Sequence, residues 1–192
     1  MPAIGAPEPV TDQPAPPREE EVAEEFAVHA PQRPSSLRRT PRVTWRPPVP
    51  GAAFTWVSAH GGAGSTSLAR SSGEGIDLTS CWPDPGMGWP AAVALVCRSD
   101  AAGVAAAARM LAEAASGSAA GLKIVALVVV ADIATKPPKA VRERIYELSS
   151  TVPQLVRVPW VRSWRETPYQ RQNAAVEAAA TVAAAVSLKE HR

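Results

Sequence analysis

The sequence contains few of the side chains from which metal centres, disulfide frameworks and catalytic triads are built. Of its 192 residues, two are cysteines and three are histidines. Cys81 and Cys97 lie sixteen positions apart and form no CxxC pair, so their spacing predicts neither a zinc site nor a disulfide framework. Cys97 ends an apolar run, and we expect it to be a buried structural residue, because a free cysteine behaves as a small hydrophobic side chain.

Long apolar runs and clustered charge are missing as well. No apolar run of the sequence approaches the roughly 20 residues that span a bilayer, and the N-terminus lacks the basic-then-apolar order of a signal peptide. We therefore expect a soluble, cytoplasmic protein without a membrane partner. The net charge of +2 is too small to predict binding to nucleic acid or to a membrane by charge alone.

Two enzyme classes lack their signatures. The sequence has no G-x-S-x-G nucleophile elbow, and two of its three histidines, His29 and His191, lie in predicted tails. A Ser-His-Asp triad is therefore not expected. A dinucleotide-binding Rossmann site stays open as an alternative, with Gly62 and Gly64 in the turn and Asp77 as the ribose acid, although the third glycine of that motif is absent.

Proline is concentrated at the start of the chain, where 12 of the 20 prolines lie in the first 50 residues. This segment is poor in large apolar residues, so we expect residues 1–50 to form a disordered arm and residues 51–192 to form one domain. Within the arm, an acidic cluster at 19–25 precedes an arginine-rich stretch at 33–46. The arm is either a tether that docks onto a protein or onto nucleic acid, or a solvated linker.

Apolar runs alternate with helical patterns in residues 51–192. Strands are predicted at residues 53–59, 91–97, 123–130 and 155–158, with one small strand near 76–78. A short helix of about two turns is predicted after the glycine-rich turn, ending at Ser71-Ser72-Gly73. Further helices are predicted at 101–115 behind an Asp100 cap, up to about 148 after the prolines at 137 and 138, and at about 173–188. This alternation predicts an α/β fold with a mostly parallel sheet and helices on both faces. The most hydrophobic run, 123–130, is predicted at the centre of the sheet.

The stretch 53–68, AFTWVSAHGGAGSTSL, joins an apolar strand to a helix through a glycine-rich turn. That order is typical of anion sites, because backbone N–H groups and the helix dipole converge at the turn. The candidate anion- or nucleotide-binding residues here are His60, Gly61, Gly62, Ala63, Gly64, Ser65, Thr66 and Ser67. A tight strand-to-helix corner would need the same glycines, and His60 is either a cation beside the site or a polar residue at a strand end.

The order of these motifs resembles the ParA/MinD class of P-loop ATPases, the deviant Walker A group, over about residues 53–170. HGGAGSTSL is similar to KGGxGKTTL, with His60 at the signature lysine and Ser65 at the catalytic lysine. VALVVVAD is similar to the strand that ends in an adenine-contacting asparagine, which places Asp132 at or beside that position. VRVPWVRSWRETP is similar to the IPxD segment over the base and adds Pro159 and Trp160 to the candidate site. The sequence also resembles an uncharacterised actinobacterial group of such domains.

The departures from that class concern catalysis. The class uses the turn lysine to neutralise the charge that develops in phosphoryl transfer, and neither lysine position is retained here. About 20 residues separate Ser71 from Ala92, too few for the acid-bearing strands of the class. Asp77 and Asp84 remain as candidate Mg²⁺ partners, and Thr66 or Ser67 would supply the hydroxyl beside the metal. We therefore predict no catalytic residue, no metal site and no resident cofactor, although the resemblance implies ATP and Mg²⁺.

The resulting expectation is a pseudo-ATPase that acts as a binding or regulatory partner. Its predicted partner is a ParA-like ATPase or a second copy of itself, in a process such as DNA segregation or the transfer of a mobile element. Two alternatives stay open. One is a genuine nucleotide-binding ATPase completed by His60 or by a partner's lysine. The other is a nucleic-acid adaptor that uses the Arg-rich arm and residues 160–165, where tryptophans and arginines combine stacking faces with charge.

Overall fold

Five parallel strands form the central sheet of the residues that the structure describes. They are β1 (Thr55–Ser58), β2 (Ile76–Asp77), β3 (Ala92–Arg98), β4 (Lys123–Val130) and β5 (Leu155–Val158). The structure is a computed structural model that describes residues 40–42, 50–167 and 171–190. The predicted arm therefore lies outside the described residues, apart from 40–42 and Pro50.

The strand order across the sheet is β2-β1-β3-β4-β5. The parallel pairing confirms the predicted α/β fold and all five predicted strands. The expectation that residues 123–130 lie at the centre is wrong, because β3 is central and β4 lies between β3 and the edge strand β5. A strongly apolar sequence indicates that a strand is covered on both faces of the sheet, and this is true of β1, β3 and β4 alike. It does not indicate which of these strands is the central one.

Helices cover both faces of the sheet, as predicted. They are α1 (Ser65–Ser72), α2 (Ala101–Ala115), α3 (Lys139–Ser149), the single turn α4 (Ser163–Glu166) and α5 (Asn173–Glu190). Side chains alternate along each strand, so Trp56, Ala94 and Val128 pack against α1 and α5. Val57, Leu95 and Leu127 face the other way and pack against α2 and α3. The turn α4 was not predicted, and no described helix has the length and apolar content needed to cross a membrane.

Helix α2 begins as the sequence predicts. The Asp100 side chain accepts a 2.7 Å hydrogen bond from the Gly103 N–H and caps the helix. Val104 is buried on its inner face together with Ala107 and Met110. The expected inner positions Ala108 and Leu111 are only half-buried, because the buried face also includes Gly103 and Ala106 and is therefore rotated away from them.

Residues 40–42 contact the end of the domain opposite the carboxyl ends of the strands. The Thr40 N–H and hydroxyl donate hydrogen bonds of 3.0 and 2.7 Å to the Glu113 carboxylate. The Arg42 guanidinium donates to the Ala120 carbonyl at 3.1 Å and lies 3.8 Å from the Asp84 carboxylate. Asp84 therefore belongs to this end of the domain.

The corner between α1 and β2 is closely packed around one glycine. Phe54 and Trp56 meet edge to face with ring centroids 4.9 Å apart, and the Trp56 indole N–H donates to the Glu74 carbonyl at 2.8 Å. Gly75 has φ +69°, and a Cβ there would lie 2.6 Å from Phe54 Cε2 and 2.7 Å from Trp56 Nε1. The two aromatic rings therefore leave no space for a side chain at position 75.

We predict that Gly75→Ala destabilises the domain more than Gly73→Ala. Gly73 has a similar φ of +76°, but a Cβ there meets nothing within 4 Å. Gly73→Ala should therefore cost only the left-handed backbone strain, about 1–2 kcal/mol. Gly75→Ala should add about 1–3 kcal/mol of overpacking. The free energies of unfolding in urea measure the difference, and equal losses in the two variants would show that this corner is loosely packed.

Candidate functional site

The carboxyl ends of all five strands lie at one edge of the sheet, which we call the carboxyl edge. The glycine turn, residues 60–64, follows β1 at this edge, and Asp77 ends β2 there. Arg98 ends β3, and Asp132 follows β4. Because α1 and α2 pack on opposite faces of the sheet, the chain connections diverge between β1 and β3. Parallel sheets bind ligands in the crevice at such a point.

The glycine turn leaves the start of α1 without a side-chain cap. Gly62 and Gly64 have φ of +78° and +107°, and Gly64 is the N-cap residue of α1 with no side-chain hydrogen bond to the helix. The first N–H groups of a helix have no partner within it. At α1 they are available to an acceptor from outside, whereas Asp100 fills this role at α2.

Asp77 binds the first two side chains of α1. Ser65 is 2 % exposed, and its hydroxyl lies 2.6 Å from the Ser58 hydroxyl and donates to Asp77 Oδ1 at 2.7 Å. The Thr66 hydroxyl donates to Asp77 Oδ2 at 2.5 Å, and the Thr79 N–H donates to Asp77 Oδ1 at 2.9 Å. Both α1 hydroxyls are therefore held by one carboxylate, on the β2 side of the turn.

His60 is engaged through both ring nitrogens. Nδ1 lies 2.9 Å from the Gly61 carbonyl, and Nε2 accepts the Arg98 main-chain N–H at 3.2 Å. A ring nitrogen that accepts an N–H carries no proton, so this arrangement places the proton on Nδ1 and leaves the ring neutral. A Cβ on Gly103 would lie 2.9 Å from His60 Nε2 and 2.7 Å from the Arg98 carbonyl, which fixes α2 directly against the ring.

Arg98 brings a positive charge to the glycine turn, and sequence reasoning missed it. Its Nε donates to the Gly62 carbonyl at 3.0 Å, and its Nη1 donates to the Ala131 carbonyl at 3.2 Å. None of the ion pairs among the described residues includes Arg98. The available signal was its position, because it is the charged residue that ends the strand next to β1.

Two cavities lie on either side of Arg98. The smaller, of about 80 Å³, is lined by Gly64, Ser67, Arg98, Pro159, Trp160 and Trp164, among others; we call it the turn cavity. The larger, of about 480 Å³, is lined by His60, Gly61, Gly62, Arg98, Arg109 and Asp132, among others; we call it the α2 cavity. Small-molecule pockets typically measure about 300–1,000 Å³. The α2 cavity falls in that range, and the turn cavity has no room for a nucleoside.

The structure therefore divides the predicted site residues into separate groups. Gly64, Ser67, Pro159 and Trp160 line the turn cavity, whereas His60, Gly61, Gly62 and Asp132 line the α2 cavity. Ser65 and Thr66 bind Asp77 instead, and Ala63 is buried in the core. Of the two segments expected around one base, Ala131 therefore lines the turn cavity together with Pro159 and Trp160, whereas Asp132 lines the α2 cavity.

The segment after β5 is partly built into the core. Trp164 packs against the core that includes α5, and its indole N–H is buried without a hydrogen-bond partner. The exposed Arg162 pairs with Glu166 at 2.8 Å. These contacts account for part of the tryptophan and arginine pattern at residues 160–165 without nucleic acid.

Titratable side chains form no metal cluster in the described part of the chain. Groups of three or more histidine, cysteine or acidic residues that could hold a metal ion are absent there. Asp84 caps the short turn Pro85–Met87 and lies near Arg42, at the opposite end from Asp77. Cys97 is fully buried, as predicted, and burial, with a smaller contribution from the Asp100 charge, raises the pKa of its thiol to about 12. It is therefore an inert thiol.

Fold and site together define an α/β domain with a glycine turn between its first strand and its first helix. Residues 52–185 match the family of unknown function DUF6668. The chain belongs to this family. No curated protein and no solved structure matches the chain.

We predict that Ser65 and Asp77 are energetically coupled. Asp77→Ala should cost about 2–3 kcal/mol, because it removes hydrogen bonds to a charged acceptor and leaves hydroxyls unsatisfied. The double variant with Ser65→Ala should cost at least about 1 kcal/mol less than the sum of the two single variants. Urea unfolding of the four proteins measures this coupling energy.

Asp84 provides the matched control for this cycle. Its carboxylate lies at the opposite end of the domain, so Asp84→Ala and Ser65→Ala should be additive within about 0.5 kcal/mol. Additive behaviour of Ser65 and Asp77 as well would contradict the proposed role of their hydrogen bond.

Proposed function

We propose that this protein is a degenerate P-loop domain of the ParA/MinD type that acts as a binding or regulatory partner, not as an ATPase. The proposed setting is a cytoplasmic process such as DNA segregation or the transfer of a mobile element. One observation supports the loss of catalysis most strongly. Ser65, at the position of the catalytic lysine, is 2 % exposed and its hydroxyl is bound to Ser58 and Asp77.

Phosphoryl transfer depends on positioned positive charge and on metal ions, because the protein stabilises charge rather than performing covalent chemistry. None of the described residues that line the turn cavity or the α2 cavity is a lysine. The hydroxyl of Thr66, a candidate metal ligand, is bound to Asp77. The His60 ring accepts a hydrogen bond from a main-chain N–H and so does not provide a positive charge for a phosphate group. These contacts favour recognition of a ligand over its conversion.

The proposed partner is a ParA-like ATPase or a second copy of this chain. The resemblance to the ParA/MinD class suggests this choice, since proteins of that class dimerise through the surface that contains the nucleotide site. The glycine turn and both cavities lie at the corresponding carboxyl edge. A domain that has this surface but lacks the catalytic lysine could still associate with a partner through it.

We expect no Mg²⁺-dependent ATP hydrolysis above the background of a Gly64→Val variant. Position 64 has φ +107°, a conformation that is strained for valine, and the added side chain would lie next to Val130. Gly64→Val should therefore distort the turn. Gly117→Val is the control, because Gly117 has φ +83° and open space around it. Phosphate release measures turnover. Light scattering tests association by measuring the mass of the protein alone and of its mixture with the ParA-like ATPase encoded nearest to its gene.

A mass increase in that mixture, or self-association, without turnover is the expected result. Turnover in the wild type and in Gly117→Val that disappears in Gly64→Val would identify a working ATPase and overturn the proposal. A monomer that binds neither itself nor the ATPase would remove the proposed partner role.

A further inference from the structure

The turn cavity is lined by hydrogen-bond donors that lack acceptors. Arg98 uses Nε and Nη1 for carbonyls, and no hydrogen bond joins its Nη2 to a described residue. The Ser67 hydroxyl likewise has no hydrogen-bond partner in the described part of the chain. Arg98 and Ser67, which both line one cavity of about 80 Å³, thus offer donors to an acceptor that the described residues do not provide.

Charge at the turn cavity is one-sided. Arg98 is half-buried, and the partial loss of hydration around its charge favours an opposite charge nearby. Carbonyl oxygens orient its guanidinium but do not neutralise it, and no described carboxylate lines the turn cavity. Asp100 and Asp132 line the α2 cavity, on the other side of Arg98. The turn cavity therefore has a cation without a counter-ion.

The volume limits the ligand. A cavity of about 80 Å³ holds several waters, and it is well below the roughly 300 Å³ of a small-molecule pocket. A single tetrahedral oxyanion is small enough for this space and has several acceptor oxygens for the surrounding donors. Arginine suits such an anion, because its planar fork donates two parallel hydrogen bonds.

We propose that the turn cavity binds one phosphate-like oxyanion, with Arg98 from β3 as its cation. The anion is either free phosphate or the terminal phosphoryl group of a larger ligand. Ser67 donates a further hydrogen bond to one of its oxygens. This inference rests on the proposed function only in placing the ligand of the domain at the glycine turn, and it assigns a residue outside that turn as the source of charge.

Isothermal titration calorimetry with inorganic phosphate, in a low-salt buffer free of phosphate and sulfate, tests the proposal. Arg98→Gln should weaken binding at least about tenfold, because it removes a charge-assisted hydrogen bond. Ser67→Ala should weaken it about threefold or more. Arg109→Gln is the matched control, since Arg109 lines the α2 cavity and not the turn cavity, and it should change the affinity less than about twofold.

Further variants and a second ligand keep the result interpretable. Arg98→Lys retains the charge without the two-carbonyl clamp, so its affinity should lie between those of the wild type and Arg98→Gln. Metal-free ATP is the second ligand. Loss of ATP binding in Arg98→Gln would identify the phosphoryl end of a larger ligand, and phosphate binding without ATP binding would identify a free anion; either result supports the proposal.

Three results would overturn it. The wild type would show no phosphate or ATP binding at millimolar concentration, or Arg98→Gln would bind as well as the wild type, or Arg109→Gln would lose as much affinity as Arg98→Gln. ATP hydrolysis is a separate measurement. ATP turnover would refute the proposed pseudo-ATPase function without affecting the proposed role of Arg98. The absence of anion binding would refute the role of Arg98 without affecting the proposed pseudo-ATPase function.

Discussion

The hydrogen bonds to the Asp77 carboxylate fix the local structure on which the site depends. Through them, the end of β2 holds the first two hydroxyls of α1, and Ser65 extends the connection to Ser58 on β1. Three elements that are separate in sequence are thereby joined at one edge of the sheet. The same bonds commit the side chains at positions 65 and 66, so the turn has only its main-chain N–H groups and Ser67 left for a ligand.

A positive charge at the turn then has to come from another strand. Arg98 reaches the turn from β3 and is held by carbonyls on both sides, at Gly62 and Ala131. This clamp separates the turn cavity from the α2 cavity, so the space around the glycine turn is divided. A lysine at position 65 would lie on the helix that follows the turn, whereas Arg98 is fixed to the central strand. Recognition of an anion and catalysis on it therefore have different structural requirements here.

Much of the fold was predictable because its signals are local. The runs 123–130 and 155–158 and the Asp100 cap each specify an element from neighbouring residues, and the structure contains all three. The strand order was not predictable, since hydrophobicity does not distinguish β3 from β4. The hydrogen bonds from α1 to Asp77 and those of the Arg98 clamp join residues 11 to 36 positions apart. Such contacts follow from the register of the sheet, which no single stretch of sequence determines.

The central claim is that this site holds an anion and does not transform it. A crystal structure of the protein grown with ATP and Mg²⁺ tests that claim most directly. The account predicts an unhydrolysed phosphoryl group against Arg98, with the Ser65 and Thr66 hydroxyls still bound to Asp77. A Mg²⁺ ion coordinated by Thr66 and the phosphates, with the hydroxyl released from Asp77 and a lysine of a second copy in the turn, would contradict it.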